Sequence, residues 1–308
     1  MERLQSEDTP LIAVVGSINR DTVIRATTIP RPGETVLGTS MTTGRGGKGA
    51  NQAIAAARLG SRVAMIAKVG ADPDGTGCLG ALAAEGIDVE GVGVDVEAST
   101  GQATVIVDDA AENAIVVIPG ANGMLSASDV RASAAVLRDA AVTLLQLEVP
   151  MDVIREALSL ATGTVVLNPA PAQRVPAPLL AQVDVLVPNR GELAVFSGGS
   201  PAGDIDGVVA QARSIPGPEA VVVTLGSEGA VLVTRTGAVH VPALAVDAVD
   251  STGAGDAFCG GLADALARGV ELERAVRWAA AVGAIATTRH GAQSALPDRS
   301  RVLEAVGA

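Results

Sequence analysis

The sequence predicts an α/β fold: a mainly parallel central sheet covered by helices on both faces, three layers in all, with a small β-sheet lid. Three observations carry this. Short apolar runs alternate with helix-length segments along most of the 308 residues, the pattern of repeated βαβ units. The runs at 11–15 and 221–223 are apolar throughout rather than alternating, as strands buried on both faces must be. Two pairs of short β-rich pieces stand outside that alternation, and four such strands suffice for a small second sheet.

Residues 11–15 form the first strand, ending at Gly16-Ser17. Asn19 and Asp21 follow; two apart on an extended segment they point to one side and offer an amide and a carboxylate to hydroxyl groups, with Arg20 pointing away. The same residues also suit an ordinary Asn/Asp turn. Residues 22–26 and 35–42 are β-rich, split by Pro30-Arg31-Pro32-Gly33, and 101–107 with 114–118 flank the acidic turn 108–113. Inserted from about 17–43 and 98–119, these pairs make the lid.

Gly44-Arg45-Gly46-Gly47-Lys48-Gly49-Ala50-Asn51-Gln52 leads into a helix at 50–59. A P-loop is excluded, because Gly49 stands where that motif needs Ser or Thr. What remains is a glycine-rich backbone able to approach a polar ligand, with Lys48 and Asn51 as contacts. A solvated loop lysine is the plainer alternative for Lys48. Strands at 62–68, 141–146, 164–167 and 183–187 then alternate with helices at 75–85, 126–139 and 151–161. In open α/β sheets ligands sit at the carboxyl ends of strands, where Glu148, Asn189 and Glu192 fall, although each could also cap a helix. A strand over 221–225 ends in the glycine turn Gly226-Ser227-Glu228-Gly229, followed by a hairpin at 230–234 and 238–241 and helices at 254–268, 272–288 and 299–306.

The rest of the chain is organised around Asp250-Ser251-Thr252-Gly253-Ala254-Gly255-Asp256. Gly253 and Gly255 allow a tight turn that aims successive N–H groups at one spot, and the following helix start favours an anion there. Asp256 at that start could act as a base toward an alcohol held beside a phosphate. Read alone, it is equally an N-terminal helix acid.

Composition narrows the function. A net charge of −12 argues against nucleic-acid or acidic-membrane surfaces, which call for a basic patch. Two distant cysteines, Cys78 and Cys259, suggest free thiols in a reducing cytoplasm, with Cys259 a small core residue. The polar opening MERLQSEDTP carries no secretory pattern, and the apolar run 278–288 is too short to span a bilayer. No spacing of His or Cys builds a zinc site. Without repeats or linkers, a single catalytic domain over 1–308 is expected.

The two signatures Gly46-Gly47-Lys48-Gly49-Ala50-Asn51-Gln52 and Asp250 through Asp256 resemble those of the ribokinase family of carbohydrate and nucleoside kinases, over nearly all of 11–297. The first is the narrower and, with Gly16-Ser17-Ile18-Asn19, Gln146-Leu147-Glu148 and Asn168-Pro169-Ala170-Pro171-Ala172, points within that family to kinases of ribose. The resemblance implies ATP-dependent phosphorylation of D-ribose at its 5-hydroxyl. Asp256 would be the base, and Gly253, Ala254 and Gly255 the anion hole. Asn19, Asp21, Gly47, Lys48, Asn51 and Glu148 would hold the sugar, and Asn189, Thr224, Gly226, Ser227, Glu228, Gly229, Gly255 and Ala280 the ATP. Glu192 would arrange magnesium, through water; Asp250 with Thr252, Ala286, Arg289 and Gly291 would hold potassium. Two positions depart from the family pattern. Ala295 replaces a cation-binding serine, with Ser294 one residue earlier, and Ala280 offers adenine only apolar contact. The resemblance further implies a homodimer joined through the lids, since exposed strand edges need covering. Kinases of 2-deoxyribose, another sugar or a nucleoside share the catalytic end; a non-catalytic sugar sensor would not need Asp256, and no GxGxxG follows the first strand to support a dehydrogenase.

Overall fold

In the computed structural model, which describes residues 9–110 and 112–307, a nine-stranded sheet runs through the molecule. The first eight residues of the polar opening, and Ala111 of the acidic turn, lie outside the described residues. In chain order the main sheet is built from β1 (Leu11–Val15), β4 (Arg62–Gly70), β5 (Val92–Asp95), β8 (Val142–Gln146), β9 (Thr164–Asn168), β10 (Val185–Leu186), β11 (Ala220–Thr224), β12 (Ala230–Thr234) and β13 (Ala238–Val241). The spatial order is β13-β12-β11-β10-β9-β8-β1-β4-β5, parallel from β11 to β5 and antiparallel where the hairpin β12–β13 extends it.

The apolar run of β1 shows why three layers form. Successive side chains of a strand point to opposite faces, and Ile12 and Val14 enter one core while Ala13 and Val15 enter the other. The first core lies against α1 (Lys48–Arg58), α2 (Pro73–Ala84), α9 (Ala254–Ala267) and α10 (Leu272–Ala286). The second lies against α3 (Ala127–Ala132), α4 (Ala134–Asp139), α5 (Met151–Leu160), α6 (Ala177–Leu180), α7 (Arg190–Ser197) and α8 (Ile205–Arg213). Helix α9 is apolar almost all round because it packs between α1 and α10. Its one deeply buried interior acid, Asp264, is held by Ser61, Arg268 and Arg299. The last helix, α11 (Arg299–Val306), packs on α10. Among the described residues no helix is long and apolar enough to cross a membrane.

The four pieces predicted for the lid form one separate sheet in the order β3-β2-β6-β7, from β2 (Asn19–Ala26), β3 (Gly38–Gly46), β6 (Gly101–Val107) and β7 (Asn113–Ile118). Only β2 and β6 are parallel; β3 and β7 pair antiparallel on either side. Four expected boundaries move. Strand β3 runs on through Gly44-Arg45-Gly46, so half of the expected glycine loop is strand paired with Asn19, Arg20 and Asp21. Helix α1 starts at Lys48 because Gly47, at φ 89°, turns the chain there; a Cβ would stand 2.8 Å from both Asn19 N and Ser17 O. The helix expected over 126–139 is two, broken at Ser133, whose N–H bonds back only three residues to Val130 O. The strand expected over 183–187 keeps two residues; beyond them Asp184 N and Val187 N donate to Val165 O and Leu167 O of β9, and Asp184 O accepts Ala220 N of β11.

Candidate active site

Asp256 lies in the first turn of α9, just after the left-handed Gly253. Its carboxylate is buried and accepts two side-chain amides: Asn51 Nδ2 at 2.8 Å on Oδ2 and Gln52 Nε2 at 3.0 Å on Oδ1. Burial dominates and pushes the Asp256 pKa up, opposed by the Lys48 charge and by the Asn51 and Gln52 hydrogen bonds.

Lys48 is also largely buried. Burial disfavours its ammonium, yet Asp256, Glu148 and Glu192 outweigh that and hold its pKa above the usual lysine value. Glu148, just past the end of β8, accepts the Lys48 backbone N–H at 3.0 Å and the Ser17 hydroxyl through the same Oε2. The strand geometry settles the Asn19/Asp21 ambiguity: both are on β2, alternate residues of one face, while Arg20 turns away to Asp74 on α2, 3.7 Å off. Asn19 is buried, and its Oδ1 accepts Asn122 Nδ2 at 2.7 Å. Burial, then the charges of Glu148 and Asp256, raise the Asp21 pKa to about 6. Asp21 Oδ1 is buried without a hydrogen-bond partner among the described residues, which is unusual for so polar an atom.

Beside Asp256 a cavity of about 140 Å³ is lined by seven of the predicted residues, Lys48, Asn189, Glu192, Thr224, Gly253, Gly255 and Asp256. Asn189 and Glu192 do cap a helix: Asn189 Oδ1 accepts Glu192 N and Glu192 Oε2 accepts Asn189 N, both at 2.8 Å. They line the cavity as well, so the two readings coexist. Burial raises the Glu192 pKa, against the Asn189 bond and the Lys48 charge. Gly226, Ser227, Glu228 and Gly229 form a short 3-10 turn beyond the lining, pinned by Arg190 to Glu228 at 2.7 Å. Ala254 is not part of the lining, and Ala280 is buried in α10 away from it. A larger cavity, about 410 Å³, opens at the amino-terminal ends of β1 and β4 and contains none of these residues. Chemistry rather than size picks the site.

Of the five residues expected around a monovalent cation, Asp250, Thr252 and Gly291 are joined by hydrogen bonds next to the Gly253 turn. Asp250 Oδ1 accepts Thr252 N at 2.9 Å and Oδ2 accepts Gly291 N at 2.8 Å, while Val249 N and Asp250 N both donate to Thr287 O just past Ala286 at the end of α10. Burial acts to raise the Asp250 pKa, but these bonds win and hold it low. Among the described residues no three His, Cys, Asp or Glu side chains cluster as metal ligands. A cation here would depend on backbone carbonyls, of which the end of α10 has several unpaired within the helix.

The sequence model for pfkB family carbohydrate kinases matches residues 9–299. The chain belongs to that family. It is 40% identical over 300 residues to the ribokinase of Haemophilus influenzae, covering 95% of this chain and 97% of that one. It is 38% identical over 292 residues to the deoxyribokinase of Salmonella typhi, covering 93% and 95%. The structure of Arabidopsis thaliana ribokinase complexed with ribose and ATP superposes with a TM-score of 0.88 at 29% identity, over 97% of this chain and 99% of that one.

Sequence reasoning missed several residues that this kinase packs around Asp256 and Asn19. Gln52, Gln146 and Asn168 were visible only as letters within motifs, and Asn122 and Gln293 carried no motif at all. One signal was there: Gln146 is a polar residue closing the wholly buried strand VTLLQ, and buried polar groups need partners. Cys259 is a core residue as expected, yet it also lines the cavity one turn beyond Asp256.

Proposed function

We propose that this carbohydrate kinase transfers the γ-phosphoryl group of ATP to the 5-hydroxyl of D-ribose, giving ribose 5-phosphate, with Asp256 as the base. The observation that carries this reading is the position of Asp256 between two unlike surroundings. Asn19, Asp21, Asn51 and Glu148 are polar groups suited to sugar hydroxyls; Lys48 and Asp256 join them to the cavity of Asn189, Glu192 and Thr224. A ribose hydroxyl donating to the partnerless Asp21 Oδ1 would satisfy it, and a site built of such groups rejects ligands that lack the hydroxyl. With Gly47 at the close approach to the sugar, the primary hydroxyl would meet Asp256, which accepts its proton while Lys48 balances the charge.

ATP would lie over Asn189, Thr224 and the turn from Gly226 through Ser227 and Glu228 to Gly229, with Ala280 offering apolar contact to the base. The N–H groups of Gly253, Ala254 and Gly255 at the start of α9 would face the transferring phosphoryl group, where preorganised donors count most. Magnesium bound with ATP, held near Asn189 and Glu192, would offset the charge of the phosphates. Glu192 fits a water-mediated role, because Asn189 occupies only its Oε2. Potassium would sit with Asp250 and the carbonyls of Thr252, Ala286, Arg289 and Gly291, its field reaching the adjacent anion hole. The small sheet would act as a lid, its segments part of a single catalytic domain, and its exposed aliphatic strands would pair two subunits into a homodimer. Two buried free thiols, Cys78 and Cys259, suit a reducing cytoplasm.

The deoxyribokinase relative favours 2-deoxyribose as the second reading. Both are tested by ATP-dependent phosphorylation across ribose, 2-deoxyribose, fructose, adenosine and uridine, with the phosphorylated carbon located by NMR. The highest kcat/KM for ribose, with phosphate on the 5-oxygen, is expected; a higher value for any other acceptor moves the substrate while leaving the mechanism in place.

A further inference from the structure

Each oxygen of the Asp256 carboxylate is held by a side-chain amide, and each of those amides is held in turn by a glutamine outside the cavity lining. Asn51 Nδ2 donates to Asp256 Oδ2 at 2.8 Å, while Asn51 Oδ1 accepts Gln293 Nε2 at 3.1 Å. Gln52 Nε2 donates to Asp256 Oδ1 at 3.0 Å, while Gln52 Oε1 accepts Gln146 Nε2 at 2.6 Å. An amide has one donor end and one acceptor end, so a donor seated on its oxygen leaves its NH₂ directed the other way. The same orientation is enforced from a third side. Gln52 Nε2 also donates to Asn168 Oδ1 at 3.2 Å, and Asn168 Nδ2 to Val187 O at 2.9 Å.

We propose that Gln293 and Gln146 are positioning residues that fix which way round Asn51 and Gln52 sit, and so keep two N–H donors aimed at the base. This rests on reading Asp256 as that base. Reversing either inner amide would set a carbonyl oxygen against a carboxylate oxygen, and the outer glutamine is what opposes the reversal. Both glutamines are anchored. Gln146 closes β8, fully buried, and Gln293 lies on a segment whose carbonyls at Gln293 and Leu296 accept Arg58 Nη1 at 2.7 and 2.8 Å. The arrangement matters because the base is buried. The charged groups that face Asp256 are Lys48, Glu148, Asp21 and Glu192, with the Cys259 thiol one turn along α9. Of these only Lys48 favours the ionised carboxylate, and the two amides supply the remaining support.

The test measures kcat, the KM of each substrate and the pH dependence of kcat for Gln293→Leu, Gln293→Glu and Gln146→Leu, beside Asp256→Asn. Gln293→Glu keeps the shape while replacing the donor by an acceptor; Gln146→Leu keeps the volume while removing the donor to Gln52 Oε1 together with a carbonyl that has no hydrogen-bond partner, so both should fold. The expected result is a fall in kcat of about ten- to a hundredfold, an acid limb moved to higher pH, an unchanged KM for ATP and a near-parental melting temperature. Parental kcat, or a lowered kcat with the acid limb unmoved, would overturn the proposal while Asp256→Asn is inactive. Turnover retained by Asp256→Asn would instead remove the base assignment, whatever the glutamines do.

Discussion

The Asp21 side chain reaches diagonally over Gly46, the partner of Asn19 on the neighbouring strand, so closely that a Cβ on the glycine would run into the Asp21 carboxylate. The glycine therefore belongs with Asp21 to the proposed sugar side of the site, although it offers no functional group. Gly46→Ala should leave the fold intact and displace Asp21, raising the KM for sugar about tenfold or more with ATP affinity unchanged. Adding Asp21→Ala to Gly46→Ala should cost little further. Independent, additive effects in that double variant would show that the glycine acts elsewhere.

The Asp21 charge should be visible in stability. Its folded-state pKa of about 6 lies above the ordinary 3.8, so folding favours the protonated form. That contribution is complete below about pH 4 and is lost as the pH rises through about 6. Asp21→Asn removes the burden of an ionised, buried carboxylate. Without ligands, the variant should be more stable than the parent at pH 8, by on the order of 3 kcal/mol at most, with the difference vanishing near pH 4. Urea unfolding at the two pH values checks the sign. A variant less stable than the parent at pH 8 would mean that the Asp21 carboxylate is stabilising in the free protein.

The fold was legible because its signals are redundant: the unbroken apolar strands, the glycine turns and the two lid pairs each pointed to the same architecture. Boundaries were less so. Gly44 to Gly46 looked like loop because glycine is a poor strand former, yet pairing with Asn19 to Asp21 makes them strand. Residues whose chemistry is rare at their position, such as Asp256 and Lys48, announced themselves. The amides of Gln146, Gln293 and Asn122 did not. Their meaning depends on a partner as distant as Asn51 is from Gln293, 242 residues apart, and nothing local encodes that contact.

The proposed cation site offers a third test. Ala295 is fully buried beside the 289–294 segment, and the Ser294 hydroxyl is already donated to His290 O at 2.9 Å. The parent should therefore show weak preference for potassium over sodium. Ala295→Ser should restore a hydroxyl ligand and lower the potassium concentration that gives half-maximal activation. An unchanged potassium response would mean that residue 295 does not reach the cation.

Four successive residues of β7, Ile115, Val116, Val117 and Ile118, are 48–64% exposed. Neighbouring strand residues face opposite ways, so both faces of the small sheet are bare there. Sedimentation velocity at micromolar concentration should give the mass of a dimer. Ile115→Asp with Val117→Asp should give a monomer with a raised KM for sugar; a monomeric parent would remove the dimer from the account.

The most direct test concerns Asp256 itself. Asp256→Asn keeps the shape of the side chain, replaces one of its two acceptor oxygens by an NH₂ and cannot take the proton. Sugar binding by calorimetry should stay within about tenfold of the parent, while single-turnover phosphoryl transfer falls by about a thousandfold or more. Near-parental transfer by Asp256→Asn would contradict the role assigned to the residue on which both halves of the site converge.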